Sequence, residues 1–240
     1  MNLKFIWAFA KFNGIAWMRR SPANILANII SPLCLLFIIY VLSQGRLLPY
    51  AAVGGVVAII AAETLSTTGQ SAMYKLEFKL QELLVATRVS VIDYIFGFVL
   101  SGFVFCIPGI ALFTILGMLL HLFTIYRFLD TISVVFVLAI ATTSISMLVG
   151  SRIKRTIGMW AISGILSALL TLIPPTFYPY TSLPPQIFYI LAISPVTPAS
   201  ATLQGAYGLT PVNGLMLPLL IAEAIFYLLL ARSFVKWREK

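Results

Sequence analysis

Charged residues are scarce in this sequence: they make up 10% of its 240 residues, and only seven of them are acidic. Soluble domains contain about 25% charged residues. Because 60% of this chain is hydrophobic, a soluble globular domain is excluded, and we expect a membrane protein with several spans. The 16 Lys and Arg residues stand in small groups between apolar stretches. This spacing excludes a nucleic-acid partner, which requires basic residues gathered on one wetted surface.

Residues that carry metal or nucleotide chemistry are also few. The two cysteines, Cys34 and Cys106, lie inside apolar stretches and are predicted to be small buried hydrophobic side chains rather than a disulfide or a metal site. His121 is the single histidine, which excludes an HExxH zinc site, and no GxxxxGK[ST] phosphate loop occurs. We therefore expect no catalytic residue, no metal and no cofactor on this chain, and no ATP bound by a Walker motif of its own.

Apolar runs long enough to cross a bilayer are abundant, since a transmembrane helix needs about 20 apolar residues. The sequence predicts an all-α membrane protein with six transmembrane helices in one domain, residues 1–240. The predicted spans are residues 25–42, 48–69, 92–120, 131–150, 157–173 and 215–231. The third is long enough to tilt, or to break at Pro108-Gly109.

Basic residues are distributed very unequally between the two predicted sides of the membrane. Fourteen of the 16 fall in the termini and in alternate connections, whereas the other side has only Arg46 and Arg127. Since cytoplasmic loops carry the excess of Lys and Arg, both termini are predicted to be cytoplasmic in a multi-pass protein of the cell membrane. These basic loops would also meet the anionic headgroups of the lipid bilayer.

The N-terminal segment, residues 1–21, is rich in aromatic side chains. Lys4 and Lys11 stand seven residues apart on one helical face, and Pro22 favours a break before the first span. This pattern predicts a helix that lies at the cytoplasmic interface. The alternative is a longer first helix.

The connection at residues 74–90 has the pattern of a short amphipathic helix. Leu76, Leu80, Leu83 and Leu84 fall on one helical stripe, and Lys75, Lys79 and Glu82 lie away from it. Such a helix offers leucines to the membrane base or to a partner's groove. An ordinary solvated connection is the alternative.

Residues 174–213 contain no charged residue but have eight prolines and many aromatic side chains. A wetted loop would be more polar, and a full span would not contain so much proline. We predict an external re-entrant region built of short helices, because irregular backbone at membrane depth requires contact with protein or a cavity.

Glu63 and Glu223 are the acidic residues that lie deep in predicted spans. An ionisable group there indicates either a transport pathway or a carboxyl group that hydrogen-bonds between helices. The small residues Ser146 and Gly150, like Ser163 and Ser167, have a spacing that favours helix packing over substrate contact.

Three segments resemble the permease subunit of type-two ABC transporters. They are RRSPANILANIISP at residues 19–32, QELLVATRVSVIDYIFG at 81–97, and a proline-marked external segment at 178–208 that includes Tyr178, Pro179, Pro184 and Pro195. Three positions differ from the usual pattern of that family, namely Arg88 in place of proline, Phe98 in place of lysine and Gln204 in place of arginine.

The resemblance implies half of an exporter. Two permease chains, identical or different, would form the substrate pathway, and two separate ATPase subunits would hold ATP and Mg. The segment at residues 74–90 would contain the coupling helix, which would dock into an ATPase groove through Lys75, Glu77, Lys79, Glu82 and Arg88. A self-sufficient secondary transporter or channel that uses Glu63 and Glu223 is the alternative, and a membrane-embedded enzyme ranks last.

Overall fold

The computed structural model describes residues 2–20, 22–87 and 89–235. Within these ranges the chain is helical and has no strand, which confirms the predicted all-α class. The α-helices are α1 (Leu3–Ala10), α2 (Trp17–Arg20), α3 (Pro22–Ser43), α4 (Leu48–Leu76), α5 (Leu80–Val85), α6 (Val91–Leu119), α7 (Ile125–Gly150), α8 (Met159–Leu172), α9 (Pro185–Leu191), α10 (Val196–Ala206) and α11 (Met216–Phe234). A π-helix, Lys11–Ala16, joins α1 to α2, and a short 3-10 helix, Tyr180–Ser182, precedes α9.

Four helices are long and apolar enough to cross a membrane: α4, α6, α7 from Tyr126 onward, and α11. They contain most of the second, third, fourth and sixth predicted spans. The first and fifth predicted spans fall in α3 and α8, whose apolar stretches, Pro32–Ser43 and Met159–Leu172, are shorter. The helix α6 continues through Pro108 without a break. The protein is therefore a multi-pass membrane protein, and the count of six spans stays a prediction.

The helix α4 lies at the centre of the bundle, where it packs against α6, α7 and α8. Polar groups join it to its neighbours. Thr64 Oγ1 is 2.7 Å from Thr142 Oγ1, Ser146 Oγ donates to the Thr64 carbonyl at 2.9 Å, and Ser163 Oγ donates to the Ser66 carbonyl at 3.2 Å. Small residues let helix backbones approach closely, and hydroxyl groups then bridge them without water. The predicted packing role of Ser146 and Ser163 agrees with these contacts.

The directions of the helices follow from which residues meet. Thr64 meets Thr142 and Lys75 meets Ser151, so α4 and α7 run parallel. By contrast, a Cβ built at Gly55 would touch Phe113, whereas one built at Gly102 would touch Thr64. Hence α6 runs antiparallel to α4, as alternating membrane spans require.

The two cysteines have different environments. Cys106 is buried, as predicted, and its Sγ is 3.6 Å from the Ile59 carbonyl oxygen. Cys34 is exposed on α3, so the prediction that it is buried is wrong. The reason is that α3 has few contacts with the rest of the bundle and lies at its edge.

The N-terminal helices lie against the bundle rather than projecting from it. Ile6, Phe9 and Ala10 of α1 are buried, and α1 packs along α6. The Phe9 ring is 5.0 Å from the Phe98 ring and 5.3 Å from the Tyr94 ring, centroid to centroid. Aromatic pairs at such distances stabilise packing beyond the area they bury. The predicted N-terminal segment is therefore helical over residues 3–20, and its position at a membrane interface stays a prediction.

Candidate coupling surface and intramembrane cavity

The predicted amphipathic helix at 74–90 is divided in the structure. The helix α4 continues to Leu76, and the backbone then turns at Lys79, which has φ of 50°. A left-handed residue cannot continue a right-handed helix, so α5 begins afresh at Leu80. The predicted single helix is thus wrong in its continuity, because a lysine gives no signal for positive φ.

The bend between α4 and α5 exposes both charged and apolar side chains. Glu77, Lys79 and Glu82 are exposed, and so are Phe78 (60%) and Leu83 (64%). Exposed large apolar side chains beside charged ones suit contact with the membrane base or with a partner protein. We call residues 77–83 the coupling surface. Of the other predicted coupling residues, Arg88 lies outside the described part of the chain.

The remaining leucines of the predicted stripe hold this surface in place. Leu84 is buried, and Leu80 packs against the hydrophobic core. Lys75 is half-buried and its Nζ donates to the Ser151 carbonyl at 3.4 Å, which ties the end of α4 to the loop after α7. That loop carries three exposed basic residues, Arg152, Lys154 and Arg155. The coupling surface therefore lies beside a basic loop.

A capping box fixes the start of α6, immediately after the coupling surface. Asp93 Oδ2 accepts hydrogen bonds from Ser90 N at 3.0 Å and Ser90 Oγ at 2.8 Å, and Ser90 Oγ in turn accepts from Asp93 N at 3.2 Å. The other carboxylate oxygen, Oδ1, accepts from Asn2 N at 2.7 Å. This arrangement satisfies backbone N–H groups that a helix start leaves unpaired. It also joins the N-terminal segment to the coupling region.

A cavity of about 200 Å³ lies between the π-helix, α4, α6 and α8. Its polar wall includes Asn13, whose Nδ2 donates to Ser101 Oγ at 3.1 Å and to Gln70 Oε1 at 3.4 Å. Asn13 Oδ1 accepts from the Tyr74 hydroxyl. One side-chain amide thus joins three polar residues of α4 and α6, and it holds the π-helix to them.

Glu63 also lines this cavity. An ionised group at this depth costs about 2.5–3.5 kcal/mol to insert. Among the residues that the structure describes, none gives the Glu63 carboxyl group a hydrogen bond or an ion pair. Glu223, the other intramembrane carboxyl group, is on α11 and is not part of the cavity wall. Its Oε2 is buried without a hydrogen-bond partner in the described ranges. The structure therefore places the two predicted pathway residues at separate sites.

The segment 174–213 contains a helix pair, α9 and α10, bent by 118°. Pro184 is the N-cap residue of α9, Pro195 that of α10 and Pro179 that of the 3-10 helix. Each of these prolines thus marks a helix start, where the missing N–H removes no helical hydrogen bond. The helix α10 is almost entirely buried and packs against α4, α7 and α11.

Gln204 of α10 fastens the beginning of this segment to its end. The fully buried side chain donates from Nε2 to the Pro175 carbonyl at 2.7 Å and to the Tyr178 carbonyl at 3.0 Å, and its Oε1 accepts from Tyr180 N at 3.1 Å. The end of α10 therefore lies beside residues 175–180, where the segment begins. This proximity favours a re-entrant hairpin over a broken span. The Tyr178 hydroxyl donates a hydrogen bond to the Ile173 carbonyl at 2.8 Å.

The family model of ABC-2 type transporters matches residues 5–207, from α1 to the end of α10. The chain belongs to the ABC-2 type transporter family. A comparison with curated proteins gives no match. As an ABC-2 permease, the chain is a membrane subunit of an ABC transporter, and the resemblance seen in the sequence is confirmed.

Sequence reasoning about this ABC-2 permease missed several polar residues. Asn13, Gln70 and Ser101 give no local signal of a site, because Asn13 is 57 residues from Gln70 and 88 residues from Ser101 along the chain. Asp93 was missed as well, although Ser90 and Asp93 have the S-x-x-D spacing of a capping box before an apolar run. That spacing is a signal available in the sequence.

Proposed function

We propose that this ABC-2 permease is the membrane subunit of an ATP-driven exporter. Two permease chains form the substrate pathway, and separate ATPase subunits, which hold ATP and Mg, bind at the coupling surface. The observation that carries the proposal is the bend between α4 and α5, where Phe78, Glu82 and Leu83 are exposed beside a basic loop. A membrane subunit without a phosphate loop has to receive force from a partner, and this surface is suited to receive it.

Force applied to the coupling surface would reach two transmembrane helices at once. The buried Leu84 packs α5 onto the core, α4 leads directly into the surface, and the Ser90–Asp93 capping box fixes the start of α6 behind it. Since packed helices move between discrete arrangements rather than deform continuously, a push on α5 would shift α4 and α6 together. This is the movement that alternating access requires.

The direction of transport is proposed from the family resemblance, which implies an exporter. The cavity beside Glu63 extends along α4 from Glu63, near the middle of the helix, to Tyr74, near its predicted cytoplasmic end. In an exporter, a cavity at this end of the bundle would receive its substrate from the cytoplasm.

A charge reversal on the coupling surface tests the proposal. The tagged chain is purified from its native membranes with the subunits that it binds, and ATP hydrolysis and ATP-driven efflux are measured in proteoliposomes. We expect Glu82→Lys to lower both about tenfold, the usual scale for a lost charge-assisted contact at an interface. The matched control is Asp130→Lys, the same charge change at an exposed position of α7; it should have no effect.

Two results would contradict the proposal. Equal efflux for the wild type and Glu82→Lys would show that Glu82 does not transmit force. Efflux by the purified chain without ATP or any partner, driven by a proton or sodium gradient, would instead support the secondary transporter. That alternative has less support from the structure, because Glu63 and Glu223 lie at separate sites.

A further inference from the structure

The cavity beside Glu63 has the chemistry of a ligand site rather than of a packing defect. Its volume is about 200 Å³, and a dry cavity of about 150 Å³ holds a benzene molecule. Among the described residues that line it, seven have a side-chain oxygen or nitrogen atom, and apolar surface makes up the larger part of the wall. A void that results from imperfect packing is apolar, whereas polar groups gathered around a space indicate that something polar binds there.

The polar groups of the wall are not equivalent. Asn13, Ser101 and Tyr74 satisfy one another through hydrogen bonds, so their orientations are fixed before any ligand arrives. The Glu63 carboxyl group has no such partner within the described ranges. Opposite it, Gly102 of α6 leaves space, since a Cβ built there would lie 3.9 Å from Glu63 Cγ. The site therefore offers one unsatisfied acceptor on a preorganised wall.

The charge of the wall selects the kind of ligand. Among the residues that the structure describes, the cavity wall contains no lysine, arginine or histidine, and Glu63 is its one carboxylic acid. Phe105 and Trp160 add two aromatic rings to the wall, and the face of an aromatic ring attracts cations through its quadrupole. A carboxylate accepts hydrogen bonds and cannot donate them. An anionic or phosphorylated group has no positive partner here, whereas a protonated amine has both the carboxylate and the rings.

We propose that the cavity binds a small organic cation, a protonated amine carried on an apolar body about the size of one aromatic ring. Glu63 binds the ammonium group, Phe105 and Trp160 pack against the apolar body, and the Asn13 amide network keeps the wall rigid. This inference rests on the proposed function in taking such amines as the cargo of the exporter. Binding itself requires neither ATP nor the ATPase.

Binding is measured on the purified permease in lipid nanodiscs by calorimetry, with benzylammonium as the probe. Benzyl alcohol is its neutral counterpart and benzoate its anionic one. We expect saturable binding of benzylammonium, weaker binding of benzyl alcohol and none of benzoate. Glu63→Gln keeps the size of the side chain and should weaken benzylammonium binding about tenfold, the scale of one charge-assisted hydrogen bond, while leaving benzyl alcohol unchanged.

The matched control is Glu223→Gln, which removes the other intramembrane carboxyl group and should leave the affinity for benzylammonium as in the wild type. If Glu63→Gln does not fold, Trp160→Leu is used in its place. It should weaken the binding of benzylammonium more than the binding of benzyl alcohol. Equal affinity of the wild type and Glu63→Gln for benzylammonium would overturn the proposal, and so would equal binding of benzoate. If benzylammonium binds as expected but ATP does not drive its efflux in the reconstituted complex, the binding site stands and the assignment of such amines as the cargo of the exporter fails.

Discussion

The Gln204 side chain is the most testable element of the external segment. Replacing it by methionine keeps nearly the same volume and removes all three hydrogen bonds to the backbone of residues 175–180. The carbonyls of Pro175 and Tyr178 would lose their donor, and Tyr180 N would lose its acceptor. No cavity is created, so the effect measures the hydrogen bonds alone.

The expected size of the effect follows from the burial of these groups. A hydrogen bond contributes about 1 kcal/mol net, and more when its loss leaves a buried group unpaired. Three bonds to a fully buried side chain therefore amount to about 3 kcal/mol. If this free energy is the cost of opening residues 175–183 locally, the opening becomes about 100-fold more frequent.

Amide hydrogen exchange, followed by mass spectrometry in detergent or nanodiscs, measures that opening. We expect peptides from residues 175–183 to exchange about 100-fold faster in Gln204→Met, while peptides of α4 and α7 keep their protection. Gln186→Met is the control, because Gln186 is exposed on α9, and it should exchange like the wild type. Unchanged exchange of residues 175–183 in Gln204→Met would refute the argument that these bonds hold the segment closed.

Two further substitutions test close packing and helix capping. A Cβ at Gly54 would lie 1.6 Å from the Thr176 carbonyl oxygen, so Gly54→Ala should lower the melting temperature of the purified protein; Gly164→Ala meets no atom within 4 Å and should not lower it. An unchanged melting temperature in Gly54→Ala would contradict this packing. Asp93→Asn has one acceptor oxygen in place of two, so it loses the hydrogen bonds either from Ser90 or from Asn2 N. The lost capping amounts to about 1–2 kcal/mol, and limited proteolysis of residues 77–90 should therefore become several-fold faster. Equal cleavage rates would show that the capping box does not hold the coupling surface.

The helices of this protein were predictable from sequence because lipid imposes a length and a composition on them. The four long apolar helices fall where the runs of apolar residues predict them, and the proline-rich segment contains the expected short, bent helices. The break at Lys79 was not predictable, since positive φ is uncommon for lysine and depends on the packing around it. The cavity was only partly predictable. Glu63 stands out in the sequence as an acid among apolar residues, but the residues around Asn13 give no signal that it lies in the same cavity wall.

Gln204 illustrates why a departure from a family pattern cannot be interpreted without the fold. Arginine stands at this position in the usual pattern of the family, and its side chain has five N–H donors and no acceptor. It would satisfy the carbonyls of Pro175 and Tyr178 but would leave Tyr180 N without a partner. Glutamine has both a donor and an acceptor, and here it uses both. The substitution therefore fits this backbone, and only the positions of those three backbone groups reveal it.

The N-terminal segment has a mechanical consequence that follows from its contacts. Asn2 is bonded to Asp93 behind the coupling surface, and Asn13 is bonded to Tyr74 and Ser101 at the cavity. The helical segment between these two residues is therefore fixed at both ends, to α6 at one and to α4 and α6 at the other. A movement of α6 relative to α4 therefore has to break the hydrogen bonds of Asn13 to one of these helices or move Asn13 with them. In the proposed function, the force that arrives at the coupling surface thus changes the wall of the cavity directly, without passing through the external half of the bundle.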